Sequence, residues 1–196
     1  MSIYTLKTRF QALLRPLVRR LHALGVTANQ VTVFACLVSI ALGAFLVSAP
    51  RQWFALVPLW MFVRMGLNAV DGMLAREFGQ KSALGAYLNE LTDVVSDAAL
   101  YLPFAFVAPF TWWSVSAVIF AASLSEMTGV VAVMTGAARR YDGPMGKSDR
   151  AFVFSLLAIA VALRWPLHDA ILWGVAVLVA VTIVNRVRGG LRESSV

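Results

Sequence analysis

From Val31 to Ser48 the chain carries no charged side chain, and similar apolar runs follow it almost to the C-terminal tail. In hydrocarbon a backbone must satisfy its own N–H and C=O groups, so runs of this length fold as helices, either in a membrane or in a large buried core. Composition removes the second choice. Of 196 residues 60% are hydrophobic and 14% charged, with a mean hydropathy of +0.76. A soluble domain of this length cannot cover so much apolar surface, so the solvent is a bilayer. Six spans are expected, over 31–48, 52–75, 83–108, 110–138, 145–163 and 167–187, each near the ~20 residues a helix needs to cross. Six tryptophans and twelve phenylalanines suit aromatic interfaces, with Trp112, Trp113 and Trp165 as the expected anchors.

Before the first span, Leu6, Phe10, Leu13, Leu14, Leu17, Val18 and Leu21 recur at helical spacing among basic residues. That pattern predicts an amphipathic interfacial helix over 4–23, kinked or broken at Pro16. No secretory leader is expected, because the first residues are basic and lack a long apolar core. The net charge is +7. Its basic residues fall in the gaps between apolar runs, which points to anionic lipid or an anionic substrate and away from nucleic acid. Fourteen of the 17 lysines and arginines lie on one side if both termini are cytoplasmic, leaving Arg51 and Arg164 outside and Arg64 within a span. The positive-inside rule therefore predicts that orientation for one all-α polytopic membrane domain over 1–196. Cys36 lies in an apolar run and reads as packing. His22 and His168 have no evident partners in the sequence.

Asp71, Glu90, Asp93 and Asp97 stand against this background. Carboxylates inside a membrane are expensive and are functional by default. Asn68, Asp71, Gly72 and Ala75 share one helical face, and Gly85, Asn89, Asp93 and Asp97 share another, with Glu90 beside the last two. The turn between them is short, so the two faces converge from antiparallel helices. Clustered hard oxygens without His or Cys suit Mg²⁺, Mn²⁺ or Ca²⁺. Gly72, Ala75 and Gly85 either let the helices pack closely or admit a ligand. The plain alternative is a structural network in which the acids pair with Arg64, Arg76 or Lys81. Glu126, in a later span, either pairs with Arg64 or lines a cavity.

The stretch from Asn68 to Asp93 resembles the signature of the CDP-alcohol phosphotransferases, D-x2-D-G-x2-A-R-x8-G-x3-D-x3-D. Asn68, Asp71, Gly72, Ala75, Arg76, Gly85, Asn89 and Asp93 fall at its spacing, with asparagine at the first and third aspartate positions. A register shifted by one turn would make Asp93 and Asp97 the last two aspartates but put Asn89 where the glycine belongs. "GVTANQVT" (Gly25 to Thr32) resembles the family's T-P-N-x-[IL]-T element at the first span, with Ala28 for proline. "GKSDR" (Gly146 to Arg150) and "TIVNRV" (Thr182 to Val187) resemble basic elements of members that use phosphorylated acceptors.

The resemblance implies six helices behind a surface helix, a homodimer, and a transferase of phospholipid biosynthesis. A CDP-linked lipid, usually CDP-diacylglycerol, passes its phosphatidyl group to a hydroxyl acceptor and releases CMP. It implies Asn68, Asp71, Asn89, Asp93 and Asp97 as ligands of Mg²⁺ or Mn²⁺, with Asp93 as general base and Asp97 as its compensating neighbour. Gly72, Ala75, Arg76, Gly85, Asn29 and Thr32 would surround the cytidine nucleotide. Lys147, Arg150 and Arg186, with Arg139 nearby, would bind the acceptor's phosphate, favouring a phosphorylated polyol over serine or choline. The asparagines leave open one metal or two. They also leave open a catalytically silent relative; a small cation-coupled transporter is the remaining rival. The expected location is a bacterial inner membrane with the site on the cytoplasmic side.

Overall fold

The computed structural model describes residues 3–194, and side chains among them from Phe10 onward. The expected side-chain pattern of Leu6, Lys7 and Arg9 lies outside the described residues. Among those described there are seven α-helices and no strand. They are α1 (Ile3–Ala23), α2 (Ala28–Ser48), α3 (Leu56–Glu77), α4 (Ala83–Tyr101), α5 (Trp112–Met134), α6 (Lys147–Ala162) and α7 (Ala170–Ser194). Short 3₁₀ segments, Arg51–Ala55 and Leu102–Phe106, lead into α3 and follow α4.

Local chemistry sets the boundaries. Thr27 caps α2 in a capping box with Gln30, Thr111 caps α5 with Ser114, and the Ser82 hydroxyl accepts the Gly85 N–H at the start of α4. The expected span 83–108 is cut at Tyr101, where Pro103 brings no N–H to continue an α-helix and the chain tightens into a 3₁₀ turn. The expected span 110–138 ends as a helix at Met134, and α7 runs past 187 to Ser194. α1 continues through Pro16 without a break. The carbonyl that loses its partner there belongs to Ala12, which is exposed and can be solvated.

Among the described residues, four segments are long and apolar enough to cross a membrane: Ala28–Ser48, Arg51–Glu77, Trp112–Met134 and Ala170–Ser194. α4 and α6 are the short, charge-bearing helices, at 19 and 16 residues. Phe34, Leu37, Phe62, Trp113, Phe120 and Val177 all face outward. Such apolar coverage needs lipid around it.

The main core joins α2 to α7. Tyr101 stacks on Phe154 at 3.7 Å between ring centres, and Phe104 stands edge-on to Phe54 and Phe154 at 5.2 Å. Packing rather than water exclusion holds such contacts in lipid, and close backbone approach matters most. Gly43 on α2 shows why: a Cβ there would fall 2.1 Å from the Ala99 carbonyl oxygen of α4. A smaller core of Val18, Val31, Val70, Met73 and Leu74 fastens α1 onto α2 and α3. At its edge Arg15 pairs with Glu77 at 2.9 Å. His22 is not partnerless there: its ring packs on Phe78 at 4.3 Å and its Nδ1 lies 3.5 Å from Gln80. His168 stays exposed.

Candidate active site

The end of α3 and the start of α4 meet beside the first turn of α2 and the first turn of α6, and every acidic residue of the motif lies there. Asp71 is buried, and one of its oxygens accepts the Thr32 hydroxyl at 2.8 Å. Asn29, on the same turn of α2, occupies the space over Gly85; a Cβ at 85 would lie 2.9 Å from its amide oxygen. Gly72 gives the Arg76 guanidinium room to fold back over α3, since a Cβ at 72 would lie 2.9 Å from it. Arg76 itself is exposed and Ala75 half-buried. Thr32 thus contacts Asp71, while the side chains of Asn29 and Arg76 fill the space beside Gly85 and Gly72.

Asp93 is the meeting point of the two helices with α6. One oxygen accepts from Arg64 at 3.1 Å and lies 3.5 Å from the Asn68 amide nitrogen; the other is paired with the Lys147 ammonium. Asn89 is half-buried on α4, one turn before Asp93. Among the described residues no three His, Cys, Asp or Glu side chains form a ready metal site. The motif instead offers two carboxylates, Asp71 and Asp93, and two amides, Asn68 and Asn89. These are hard oxygen donors, and Asp93 already carries a cation in Lys147, so the set fits a divalent ion of the Mg²⁺ class.

Asp97, one turn deeper, is in a different situation. It is buried, held by Arg64 at 2.6 Å and by Arg150 at 3.3 Å. Arg150 is wholly buried and also donates to Glu126 at 2.9 Å. Glu126 does not pair with Arg64, as one sequence expectation had it, because Arg64 is taken up by the two aspartates of α4. Its partners are Arg150, Arg139 at 3.6 Å and Arg186 at 3.7 Å; Arg139 pairs in turn with Glu90. Lys147, Asp93, Arg64, Asp97, Arg150, Glu126, Arg186, Arg139 and Glu90 thus form one continuous network. Sequence reasoning placed Lys147, Arg150 and Arg186 together and missed Tyr101 and Ser125, buried beside them; nothing in their spacing marks them.

A cavity of about 450 Å³ opens between α3 and α6. Arg64, Asn68, Asp97 and Lys147 line its polar end, and Phe62 and Phe152 its apolar end.

Residues 25–184 match the family of CDP-alcohol phosphatidyltransferases. The chain belongs to this family. It is 43% identical to the inner membrane protein YnbA of Escherichia coli, over 100% of this chain and 99% of that one. A phosphatidylinositol phosphate synthase of Mycobacteroides abscessus is 26% identical, covering 90% of this chain and 83% of that one. The fold is that of the Mycobacterium tuberculosis phosphatidylinositol phosphate synthase, solved with manganese and citrate (TM-score 0.74, 90% of this chain and 88% of that) and with CDP-DAG (TM-score 0.71, 91% and 92%), at 20% identity in both. Membership makes the chain a membrane transferase of phospholipid biosynthesis, and the acidic cluster of α3 and α4 lies within the matched residues.

Proposed function

We propose that this protein transfers the phosphatidyl group of CDP-diacylglycerol to a hydroxyl of a phosphorylated polyol, releasing CMP, in a bacterial inner membrane. Six spans with both termini cytoplasmic put the site at the cytoplasmic face, open to lipid on one side and water on the other. The working unit is a homodimer, as in the family pattern. One observation carries the reading: Lys147 touches Asp93 and stands one turn from Arg150, so the acid cluster and the cation cluster share an edge. A cavity with a polar end beside that edge and an apolar length along α3 and α6 suits a donor with lipid tails. Relatives named for phosphatidylinositol phosphate and archaetidylinositol phosphate synthesis support a phosphorylated acceptor.

Asn68, Asp71, Asn89 and Asp93 would hold a divalent ion, which supplies charge neutralisation at the pyrophosphate and at the departing CMP. Thr32 orients Asp71, and Asn29, Gly72, Ala75, Arg76 and Gly85 form the nucleotide's bed. Lys147 turns from Asp93 to the acceptor's phosphate, and Asp93 then takes the proton from the acceptor hydroxyl. That oxygen bonds to the phosphatidyl phosphorus as the bond to the CMP oxygen breaks. Asp97, buried between two arginines, sets the position of Arg64 and Arg150 and takes no proton; as a metal ligand it would first have to leave them.

Purified protein given CDP-diacylglycerol and one acceptor at a time tests this, with CMP release and mass spectrometry of the lipid product as readouts. A phosphorylated phosphodiester lipid formed only from phosphorylated polyols is the expected result. Product from free serine or choline alone would refute the acceptor class, and no CMP from any acceptor would favour a silent relative.

A further inference from the structure

Glu126 is an acid where the proposed acceptor site needs cations. Its carboxylate is the common partner of Arg139, Arg150 and Arg186, which come from three different parts of the chain: the segment after α5, the start of α6 and the end half of α7. An oxyanion ringed by three guanidiniums is the arrangement a phosphate takes. The site is built yet incompletely satisfied. Among the described residues, the buried side-chain polar atoms without a hydrogen-bond partner are the Nε atoms of these same three arginines, Ser125 Oγ beside Glu126, and the Tyr101 hydroxyl. Tyr101 lines the same small enclosed space as Glu126 and Arg150. A carboxylate has two oxygens and cannot serve all these donors; a phosphate has more acceptor positions and a second charge. The mouth of the site is at Arg139 and Glu90, whose side chains are 26% and 29% exposed, whereas Arg150 is closed off at 0%.

We propose that Glu126 is an internal surrogate for the acceptor's phosphate and a specificity-setting residue. It holds Arg139, Arg150 and Arg186 in register, and a dianionic phosphate displaces it, while a neutral or singly charged acceptor does not. This rests on the phosphorylated-acceptor reading for its place in the reaction, though anion binding itself does not require turnover.

The test compares wild type with Glu126→Gln, which keeps the shape and removes the charge, and with Glu126→Asp, which keeps the charge on a shorter arm. Thermal unfolding in detergent is followed against inorganic phosphate, and steady-state kinetics against a phosphorylated polyol and CDP-diacylglycerol separately. Glu126→Gln should melt below wild type without phosphate, because buried Arg186 loses its carboxylate partner and Arg150 and Arg139 each lose one of two. It should regain stability with phosphate and bind it about tenfold tighter or more, since an internal competitor has gone. Its KM for the phosphorylated acceptor should fall while its KM for the donor stays put, a split that simple loss of structure does not produce. If Glu126→Gln cannot be purified, Glu126→Asp should show the same ordering at smaller size. A phosphate response equal to wild type, or a raised acceptor KM, would overturn the proposal. Failure of the acceptor reading looks different: wild type would then make no product from phosphorylated polyols, whatever the phosphate titration shows.

Discussion

Asp93 and Asp97 stand one turn apart on the same helix and differ in nearly every respect that matters to chemistry. Asp93 is partly open, its side chain 18% exposed, and it shares its two oxygens among Arg64, Asn68 and Lys147, all of which line the cavity between α3 and α6. Asp97 is buried with Arg64 and Arg150 on either side. A buried acid between two guanidiniums is fixed in place, and breaking such a pair leaves an uncompensated charge. A partly exposed acid whose partners include a lysine ammonium can exchange them. Placement one turn along α4 thus separates a group that can react from a group that positions others.

The largest effect should come from the open member of the pair. Asp93→Ala is expected to lower CMP release by about 10²–10⁴-fold with little loss of melting temperature, as removal of a positioned general base does. Asp97→Asn should reverse the pattern, lowering stability in a detergent melt more than it changes the rate of the surviving folded fraction. If Asp97→Asn kept wild-type stability and lost activity as Asp93→Ala does, the distinction drawn between them would collapse. Arg150→Met sharpens the same point from the partner's side: about 3–5 kcal/mol of destabilisation is expected, because Asp97 and Glu126 both lose a buried counter-ion. Gly43→Ala probes the frame on which both aspartates ride. A methyl against the Ala99 carbonyl should cost about 1–3 kcal/mol by pushing α2 from α4, and should weaken both members equally.

The smallest effect belongs to a carboxylate outside both situations. Asp169, before α7, lies at the end of the bundle away from the motif. Its partial burial raises its pKa, but hydrogen bonds from Ser114, Thr111 and Trp173 outweigh that and hold it below the usual carboxylate range. A depressed folded pKa stabilises above the unfolded value of ~3.9 and loses that contribution as pH falls through the folded one. Melting temperatures should therefore drop in acid for wild type, and less steeply for Asp169→Asn. Equal slopes would show that this cap is unimportant.

Much of the architecture was legible in the chain itself. Apolar runs, a basic surface helix and cap residues such as Thr27, Thr111 and Ser82 are local, and the seven helices fall close to where periodicity puts them. The misjudged boundaries have local causes too, Pro103 cutting α4 and an exposed Ala12 carbonyl letting α1 pass Pro16. The convergence of Asn68 and Asp71 on Asp93 also follows from helical spacing and a short turn. Arg64, by contrast, was one intramembrane charge among several candidate partners. Only the packing of α3 against α4 gives it to Asp93 and Asp97 and leaves Glu126 to three other arginines.

What the sequence determined by itself is therefore a membrane domain, its helices, and the motif that aligns it with CDP-alcohol phosphatidyltransferases, because burial in lipid and helical period act residue by residue. Which carboxylate stays open, which is locked, and which one stands among the arginines was decided by the tertiary structure. Those distinctions depend on side chains brought together from helices far apart in the chain, such as α5, α6 and α7 around Glu126, and no spacing within a single helix encodes them.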